Sequence, residues 1–568
     1  MGDCASPRSP AGLVSQSSSS GDFDRTENLA ERGARFLTTH QMRGTKGTPV
    51  TESLVDAPTL WDLVERRAAA TPDTVLLIDE AGRTLTCREF RDRAERTAAG
   101  FAALGVGAGT RVTWQVPNRF ETILASFALA RLGAIQNPIL HLYRHKEVGY
   151  AIRATDAELV LVPGEWNGFD YGAMVHELVA DRPDGQRPAI IDIFADLPDA
   201  DPTDLPPAPT SGDEVRWIYF TSGTTSDPKG VRHTDRTLIT GANGLAVALD
   251  MSPDDIGSIA FPYAHIAGPD YFGTMLLAGF GAVLIEAFAP ASAVATFAAN
   301  GVTMVGGSTA FYQMYLTEQR KQPDEPIIPT LRKMSGGGAP MPPEIYEEVK
   351  RELGVKICHG YGMTECPMIC EGSPHDTDEQ LANTVGKPVQ GLELRTVDAD
   401  GRVTDTGEDG EVRVKGPMVF AGYTDEAATA DAFDDDGWFR TGDVGHIRPD
   451  GHVVLTGRLK DIIIRKGENI SAKEVEDVLY ALPQVADVAV IGLPDRERGE
   501  RVCAVVTTAE GHDPLTFDQM VSALRDAQLM TQKIPEQLEV VAELPRNQTL
   551  GKILKYKLRE EYADKPWG

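Results

Sequence analysis

Apolar positions at Phe90, Ala94, Ala98 and Phe101 keep helical spacing, and Gly105 with Gly107 closes that helix before an apolar run at 112–116. The pattern predicts a helix-to-strand unit. Short apolar bursts at 159–162, 190–193, 217–220, 283–285 and 302–305 then alternate with helix-length stretches such as 121–132. Alternation of this kind predicts an α/β protein with largely parallel sheets. After Asp400 the texture changes to short strands and tight turns, among them Asp400-Gly401, Asp409-Gly410 and Asp450-Gly451. Beyond Gly457 a helix-like stretch at 472–481 and strand-like runs at 488–491, 502–506 and 538–541 suit a small α+β domain of about 100 residues.

The expected organisation is a leader over 1–50, a large N-terminal domain over 51–458 and a small C-terminal domain over 459–568. The large domain is expected to hold layers of parallel α/β sheet and a β-rich subdomain. The leader is polar and rich in Ser, Gly and Thr, so it is expected to be disordered, with folding beginning near Leu60. Its start formally matches a myristoylation pattern at Gly2 with Ser6, a pattern of low information, and it lacks the apolar core of a secretory signal.

Composition narrows the function classes. Of 568 residues, 42% are hydrophobic and 24% charged, with no apolar run of about 18, so no membrane-spanning helix and no integral membrane contact are expected. A formal net charge of −29 disfavours a nonspecific hold on nucleic acid or anionic lipid, so any anionic ligand must be met by a local site. Six cysteines at irregular spacing form no disulfide framework, which fits the reducing cytoplasm. Cys366 and Cys370 would lie one turn apart if helical, near Cys358, His359 and His375, but they lack the usual zinc-site spacing.

The chemistry concentrates in four places. In Tyr219-Phe220-Thr221-Ser222-Gly223-Thr224-Thr225-Ser226-Asp227-Pro228-Lys229-Gly230, a strand runs into a loop dense in hydroxyls and Gly and ending in Lys. Such a loop offers backbone N–H groups, O–H donors and one cation to polyphosphate oxygens, although composition alone also admits a plain surface loop. It is not a Walker A loop, which ends in Gly-Lys-Ser/Thr. The second cluster is Ser335-Gly336-Gly337-Gly338-Ala339-Pro340 with Gly360-Tyr361-Gly362-Met363-Thr364-Glu365. There glycines let a flat ligand approach, Tyr361 offers a stacking ring, and Glu365 can hold a Mg²⁺ that bridges phosphates. Taken singly, the glycines read as turns and Thr364-Glu365 as a helix N-terminus. The third is Arg440-Thr441-Gly442-Asp443 with Gly457-Arg458-Leu459-Lys460, where Asp443 can accept ribose hydroxyls and Arg458 assist, or the two can staple loops. Fourth, Gly551-Lys552-Ile553 places a Lys in a turn near the C-terminus, where a solvated surface Lys is the ordinary reading.

Taken in order, the stretches 221–230, 360–365, 440–443 and 457–460, with Lys552, resemble the adenylate-forming superfamily, which holds acyl-CoA synthetases, nonribosomal peptide adenylation domains and beetle luciferases. The resemblance spans roughly residues 55 to 560. It implies that Thr221, Ser222, Gly223, Thr224, Thr225 and Lys229 hold ATP phosphates and that Gly336, Gly337, Gly338, Ala339, His359, Gly360, Tyr361 and Gly362 frame the adenine. By the same resemblance Thr364 and Glu365 serve phosphate and Mg²⁺, Asp443 and Arg458 bind ribose, and Lys552 bridges the substrate carboxylate and the α-phosphate. His265 would be an aromatic gate beside an acyl pocket lined by Gly306, Gly307 and Gly338, and Lys460 the hinge of a mobile C-terminal lid. The glycines at 306 and 307 equally read as close strand–helix packing.

The resemblance thus implies an ATP-dependent acyl-CoA synthetase that activates a medium-chain fatty, alicyclic or aryl acid through acyl-AMP, with ATP, Mg²⁺ and CoA as its small molecules and a homodimer admitted. Lys466-Gly467-Glu468-Asn469-Ile470-Ser471, Trp114-Gln115-Val116-Pro117-Asn118 and Asn137-Pro138-Ile139 resemble the CoA-ligase forms. A stand-alone enzyme loading a carrier protein is the alternative, and a non-catalytic relative has no support because every implied catalytic residue is present. Ser226 and Leu550 depart from the usual Gly and Ser/Thr without removing a catalytic side chain. His359 stands where an amide often faces adenine, so its neutral ring would have to act as acceptor. Asp270 is the nearest counterpart to the Asp of amino-acid adenylators but is expected to lie away from the ligand. The acyl group stays open.

Overall fold

The computed structural model describes residues 52–221, 228–465, 468–495, 499–527, 529, 531–546, 553–563 and 565. The expected leader therefore lies outside the described residues. Among the described residues no helix is long and apolar enough to cross a membrane.

The helix predicted from Phe90 to Phe101 is observed as Cys87–Ala103, opened by a capping box between Thr86 and Glu89 and burying Phe90, Ala94, Ala98 and Phe101. The turn after it needs Gly105 at φ 88°. Helix Phe120–Leu132 is predominantly apolar and buried at every position but Glu121, as suits an element packed between layers, and ends on Gly133 in the left-handed conformation. These helices share one core with Leu60–Ala70, Asp235–Ala248 and Ala267–Ala278.

Three sheets build the large part of the molecule. The first runs Lys229–Thr234, Val215–Thr221, Ile135–Pro138, Arg111–Trp114, Leu159–Val162, Ala189–Asp192, parallel except for its first pair. In the second, Ile256–Ile259, Gly281–Leu284 and Val75–Ile78 are parallel, with Thr84–Thr86 antiparallel at the edge. The third carries Met304–Gly307, Lys333–Gly336 and Lys356–Met363 in parallel, then Cys366–Glu371 and Lys387–Pro388 antiparallel. Parallel strands covered on both faces are apolar runs, which is why the sequence bursts found them.

Two details differ from expectation. The burst at 302–305 becomes the strand Met304–Gly307, so the glycine pair lies within the strand and meets Ser335 and Gly336 across the ladder. Thr364-Glu365 does not open a helix; it turns the hairpin between Lys356–Met363 and Cys366–Glu371. Cys366 and Cys370 consequently lie on a strand, and among the described residues no group of three metal-ligating side chains gathers.

The change of texture after Asp400 is an antiparallel sheet of Glu393–Val397, Gly410–Lys415, Phe439–Ile447 and Val453–Arg458. Beyond it Ile462–Arg465, Glu468–Ser471, Val485–Asp495, Gly499–Thr508 and Gln537–Val541 form a last sheet with an apolar cluster on each face. Helix Ala472–Tyr480 begins where predicted, capped by Ser471, whose hydroxyl also reaches the Thr456 carbonyl.

Candidate active site

Two parallel strands of the third sheet end at Gly307 and Gly336 where the third passes His359, and the ladder sets these three residues in one row. Sites in open α/β sheets form at such carboxyl ends. A Cβ on Gly336 would collide with the Gly307 carbonyl, and one on Gly360 with the Glu371 carboxylate, so these glycines are required by close packing of the row itself. Gly337 donates its N–H to the Gly307 carbonyl at 3.0 Å. Gly338 has φ 80°, which turns the chain toward Ala339.

His359 is buried, and its Nε2–H donates to the Ala339 carbonyl at 2.9 Å while Nδ1 faces the Tyr312 hydroxyl at 3.4 Å. Burial lowers its pKa to about 4, so the ring is neutral. Both ring nitrogens are turned to protein partners, and the acceptor expected to face an adenine faces Tyr312 instead.

Beyond this row the hairpin presents Tyr361, Thr364 and Glu365. Tyr361 is buried and donates its hydroxyl to Asp443 Oδ2 at 2.6 Å. Arg458 Nε meets the other oxygen of Asp443 at 2.6 Å, because Asp443 and Arg458 are direct partners on neighbouring strands. The Asp443 N–H donates to Thr441 Oγ1 at 3.1 Å, so the backbone is held as well as both carboxylate oxygens. The sequence grouped Asp443 with Arg458; the structure adds Tyr361.

Glu365 is buried in the turn, and Tyr423 donates its hydroxyl to Oε1 at 2.8 Å. Burial raises the Glu365 pKa, against the pull of the Tyr423 hydrogen bond and of Lys229. Lys229 lies over the Tyr423 ring, its Nζ 4.8 Å from the centroid. Val231 bridges to Tyr423, and Thr424 N–H donates to the Gly230 carbonyl at 2.7 Å, which joins that turn to the strand from Lys229. The Thr364 carbonyl accepts from Nε2 of His233 at 2.6 Å. His233 is fully buried, and burial lowers its pKa to about 4. Thus Thr221 and Lys229, paired across the first sheet, are tied through His233 and Tyr423 to Thr364 and Glu365 on the third.

His265 lies where the chain enters helix Ala267–Ala278; its Nδ1 accepts the Ala267 N–H at 3.2 Å, which places the proton of the neutral ring on Nε2, and burial holds the ring near pKa 4. Gly306 and Gly307 fit the packing reading: a Cβ on Gly306 would press on the Ser335 carbonyl at 2.8 Å and one on Gly307 on the Phe311 ring at 2.6 Å. Lys460 sits in the turn Leu459–Asp461 directly after Arg458. Ser222, Gly223, Thr224, Thr225 and Lys552 lie outside the described residues.

Sequence reasoning missed His233, Tyr423 and Glu371. Glu371 is buried, accepts from Ser335 Oγ at 3.0 Å, and has its pKa pushed well up by burial. Each sits in a stretch without a motif: an edge strand, a Gly-Tyr-Thr turn and a strand end. The one local signal is that a His or Glu interrupts an otherwise buried run.

The same architecture recurs in known proteins. Residues 64–424 match the family model described as AMP-binding enzyme, and residues 474–551 the AMP-binding enzyme C-terminal domain. The chain is 31% identical over 519 residues to the medium-chain fatty-acid–CoA ligase of Escherichia coli K12, covering 88% of this chain and 90% of that one. It is 32% identical to the 2-hydroxy-7-methoxy-5-methyl-1-naphthoate–CoA ligase of Streptomyces carzinostaticus, over 87% of this chain and 91% of the relative. It is also 32% identical to the salicyl-AMP ligase / salicyl-S-ArCP synthetase of Mycobacterium tuberculosis H37Rv, over 87% and 89%. Among solved structures, ATP-bound MatB from Rhodopseudomonas palustris superposes with a TM-score of 0.79 at 28% identity, over 89% of this chain and 99% of MatB. By matched length and by identity to these ligases, the chain belongs to the AMP-binding enzyme family and is an adenylate-forming ligase.

Proposed function

We propose that this enzyme activates a carboxylic acid with ATP, forming acyl-AMP and pyrophosphate, and passes the acyl group to the thiol of CoA with release of AMP. The observation that carries the reading is the meeting of Tyr361, Asp443 and Arg458 beside the Thr364–Glu365 turn. A carboxylate fixed by an arginine and a phenol, next to a hairpin joined to the strand that begins at Lys229, suits a ribose with its phosphates laid along the turn. Ligand-bound relatives, among them ATP-bound MatB, support it.

A carboxylate is a poor electrophile, and its approach to the α-phosphate brings two anions together, so catalysis is mostly charge neutralisation and alignment. In this reading Lys552 bridges the two anions and Lys229 with the 221–225 loop holds the outgoing phosphates. Mg²⁺ fits the donor set: Glu365 is a carboxylate whose Oε1 is fixed by Tyr423, and magnesium is typically held by one or two carboxylates plus phosphates and water. When bound it would supply charge neutralisation at the phosphates. His265, a neutral ring with its proton on Nε2, would stand beside the carboxylate and close the acyl pocket. Lys460, in the turn after Arg458, is the hinge on which the last domain would re-aim for thioester formation.

Two substrate readings are open within this chemistry. The E. coli relative is named for medium-chain fatty acids, the S. carzinostaticus relative for a substituted naphthoate. The salicyl-AMP ligase / salicyl-S-ArCP synthetase favours a second acceptor, a carrier-protein thiol. Product analysis tests the reading. With ATP, Mg²⁺, CoA and a panel of fatty, alicyclic and aryl acids, AMP and pyrophosphate are expected in equal amounts with acyl-CoA. ADP and phosphate would reject it, and acyl-AMP that CoA does not discharge would favour the carrier protein.

A further inference from the structure

Beneath the hairpin that holds Thr364 and Glu365 lies a carboxyl that nothing in the fold uses. Asp270 is in helix Ala267–Ala278, which begins two residues after His265, and it is 2% exposed. Its Oδ1 is fully enclosed with no hydrogen-bond partner among the described residues. The groups that face it are Gly241 from helix Asp235–Ala248, Met418 behind that glycine, Cys366 and Glu371 from strand Cys366–Glu371, and Tyr219 from strand Val215–Thr221. None is a cation. A Cβ on Gly241 would stand 2.6 Å from Asp270 Oδ1, so the glycine makes room for the carboxyl. Tyr219, 5% exposed, also has a hydroxyl without a partner among the described residues.

A buried polar atom without a partner is costly, and a fold rarely keeps two near one another without use. Tyr219 lies two residues before Thr221 on one strand, Asp270 lies five residues after His265, and Cys366, near Asp270, directly follows Glu365.

We propose that Asp270, with Tyr219, is the specificity-determining polar end of the acyl pocket, and that it selects carboxylic acids bearing a neutral hydroxyl at the end away from the carboxylate. This rests on the acid-activating reading above. Burial raises the Asp270 pKa to about 8, so at neutral pH the group is a carboxylic acid whose carbonyl oxygen accepts a hydroxyl hydrogen. An ammonium would require an ion pair in a pocket lined by Met418 and backbone, at a larger desolvation cost than a neutral hydrogen bond. The Tyr219 hydroxyl completes the set as donor to the substrate oxygen.

The test uses the full-length enzyme, ATP and Mg²⁺, and pyrophosphate release from matched acids: benzoate against para- and meta-hydroxybenzoate, and hexanoate against its ω-hydroxy and ω-amino forms. The hydroxylated member of at least one pair should have a kcat/KM roughly ten- to a hundred-fold higher. Asp270→Leu should bring that ratio near one, while Asp270→Asn, whose amide oxygen still accepts, should keep most of it. The ligand-free Asp270→Leu enzyme should also melt at a higher temperature, because an unpartnered buried acid has been removed. Equal use of both members of every pair, a ratio unmoved by Asp270→Leu, preference for the ammonium, or a lower melting temperature in both variants would overturn the assignment. AMP formation without hydroxyl preference removes only the role of Asp270; no AMP from any acid removes the acid-activating reading itself.

Discussion

The hydroxyl of Tyr361 donates to Oδ2 of Asp443 across 82 residues of sequence at 2.6 Å, and the other oxygen of that carboxylate is taken by Arg458. The sugar-binding candidate of one sheet is thus locked to the stacking candidate of another before any ligand arrives. Prepaid orientation of this kind is what a nucleotide site needs.

Breaking the lock should therefore show in binding as well as in stability. Tyr361→Phe removes one hydrogen bond to a buried carboxylate and should cost about 1–2 kcal/mol of folding stability. Asp443→Ala should raise the Kd of a non-hydrolysable ATP analogue by at least about tenfold, the discount reflecting that Arg458 is partly solvated. Calorimetric titration of both folded variants checks this. A stability loss with unchanged nucleotide affinity would return the trio to a structural staple.

Acid should act through the buried imidazoles. His233, His265 and His359 each have a folded pKa near 4 against an ordinary 6.5. The unfolded chain takes up these protons as pH falls below 6.5 and the folded chain does not until about 4, so stability is full above 6.5 and is lost across that window. Each ring contributes on the order of 2–3 kcal/mol at the lower limit. Denaturant melts at a series of pH values should show this slope, and His233→Asn, which keeps a donor and cannot protonate, should make it shallower by about one proton. A slope unchanged by that substitution would contradict the assignment of His233 as buried and neutral.

Glu365 and Tyr423 should share a phenotype. Glu365→Gln should raise the Mg²⁺ concentration for half-maximal pyrophosphate release by about tenfold or more, and Tyr423→Phe should do so more weakly, since it frees one carboxylate oxygen without removing the charge. Magnesium titrations of the initial rate check this. A Tyr423→Phe effect on kcat with no change in magnesium dependence would detach Tyr423 from Glu365.

The lysines should fail in opposite steps. Lys552→Ala should lose roughly 10²-fold or more in acyl-AMP formation while still processing supplied acyl-AMP with CoA. Lys460→Pro should restrict rotation at the turn after Arg458 and do the reverse. Pyrophosphate exchange and thioester release from synthetic acyl-AMP separate the two. Equal loss of both steps in both folded variants would reject domain alternation.

Much of the fold was legible in the sequence because parallel strands buried on both faces are written as apolar runs, as at 159–162, and because a hydroxyl-rich or glycine-rich stretch keeps its chemistry wherever the fold puts it. The pairing of Asp443 with Arg458 was legible too, since a short hairpin brings them together. His233 and Tyr423 were not, because each gains its meaning from a strand distant in sequence and its own neighbours carry no pattern. Asp270 was expected to lie away from the ligand; that its enclosed oxygen lacks a partner among the described residues is a fact of packing that no motif records. The glycines at 306 and 307 satisfied both readings in sequence, and the ladder to Ser335 and Gly336 shows the packing they serve.

The central claim is that the substrate carboxylate attacks the α-phosphate. An accepted acid, labelled with heavy oxygen in its carboxylate, should be turned over to completion with ATP, Mg²⁺ and CoA, and the nucleotide product weighed by mass spectrometry. The account predicts AMP carrying one heavy oxygen on its phosphorus and unlabelled pyrophosphate. Label in inorganic phosphate beside unlabelled ADP, or AMP with no label, would contradict it.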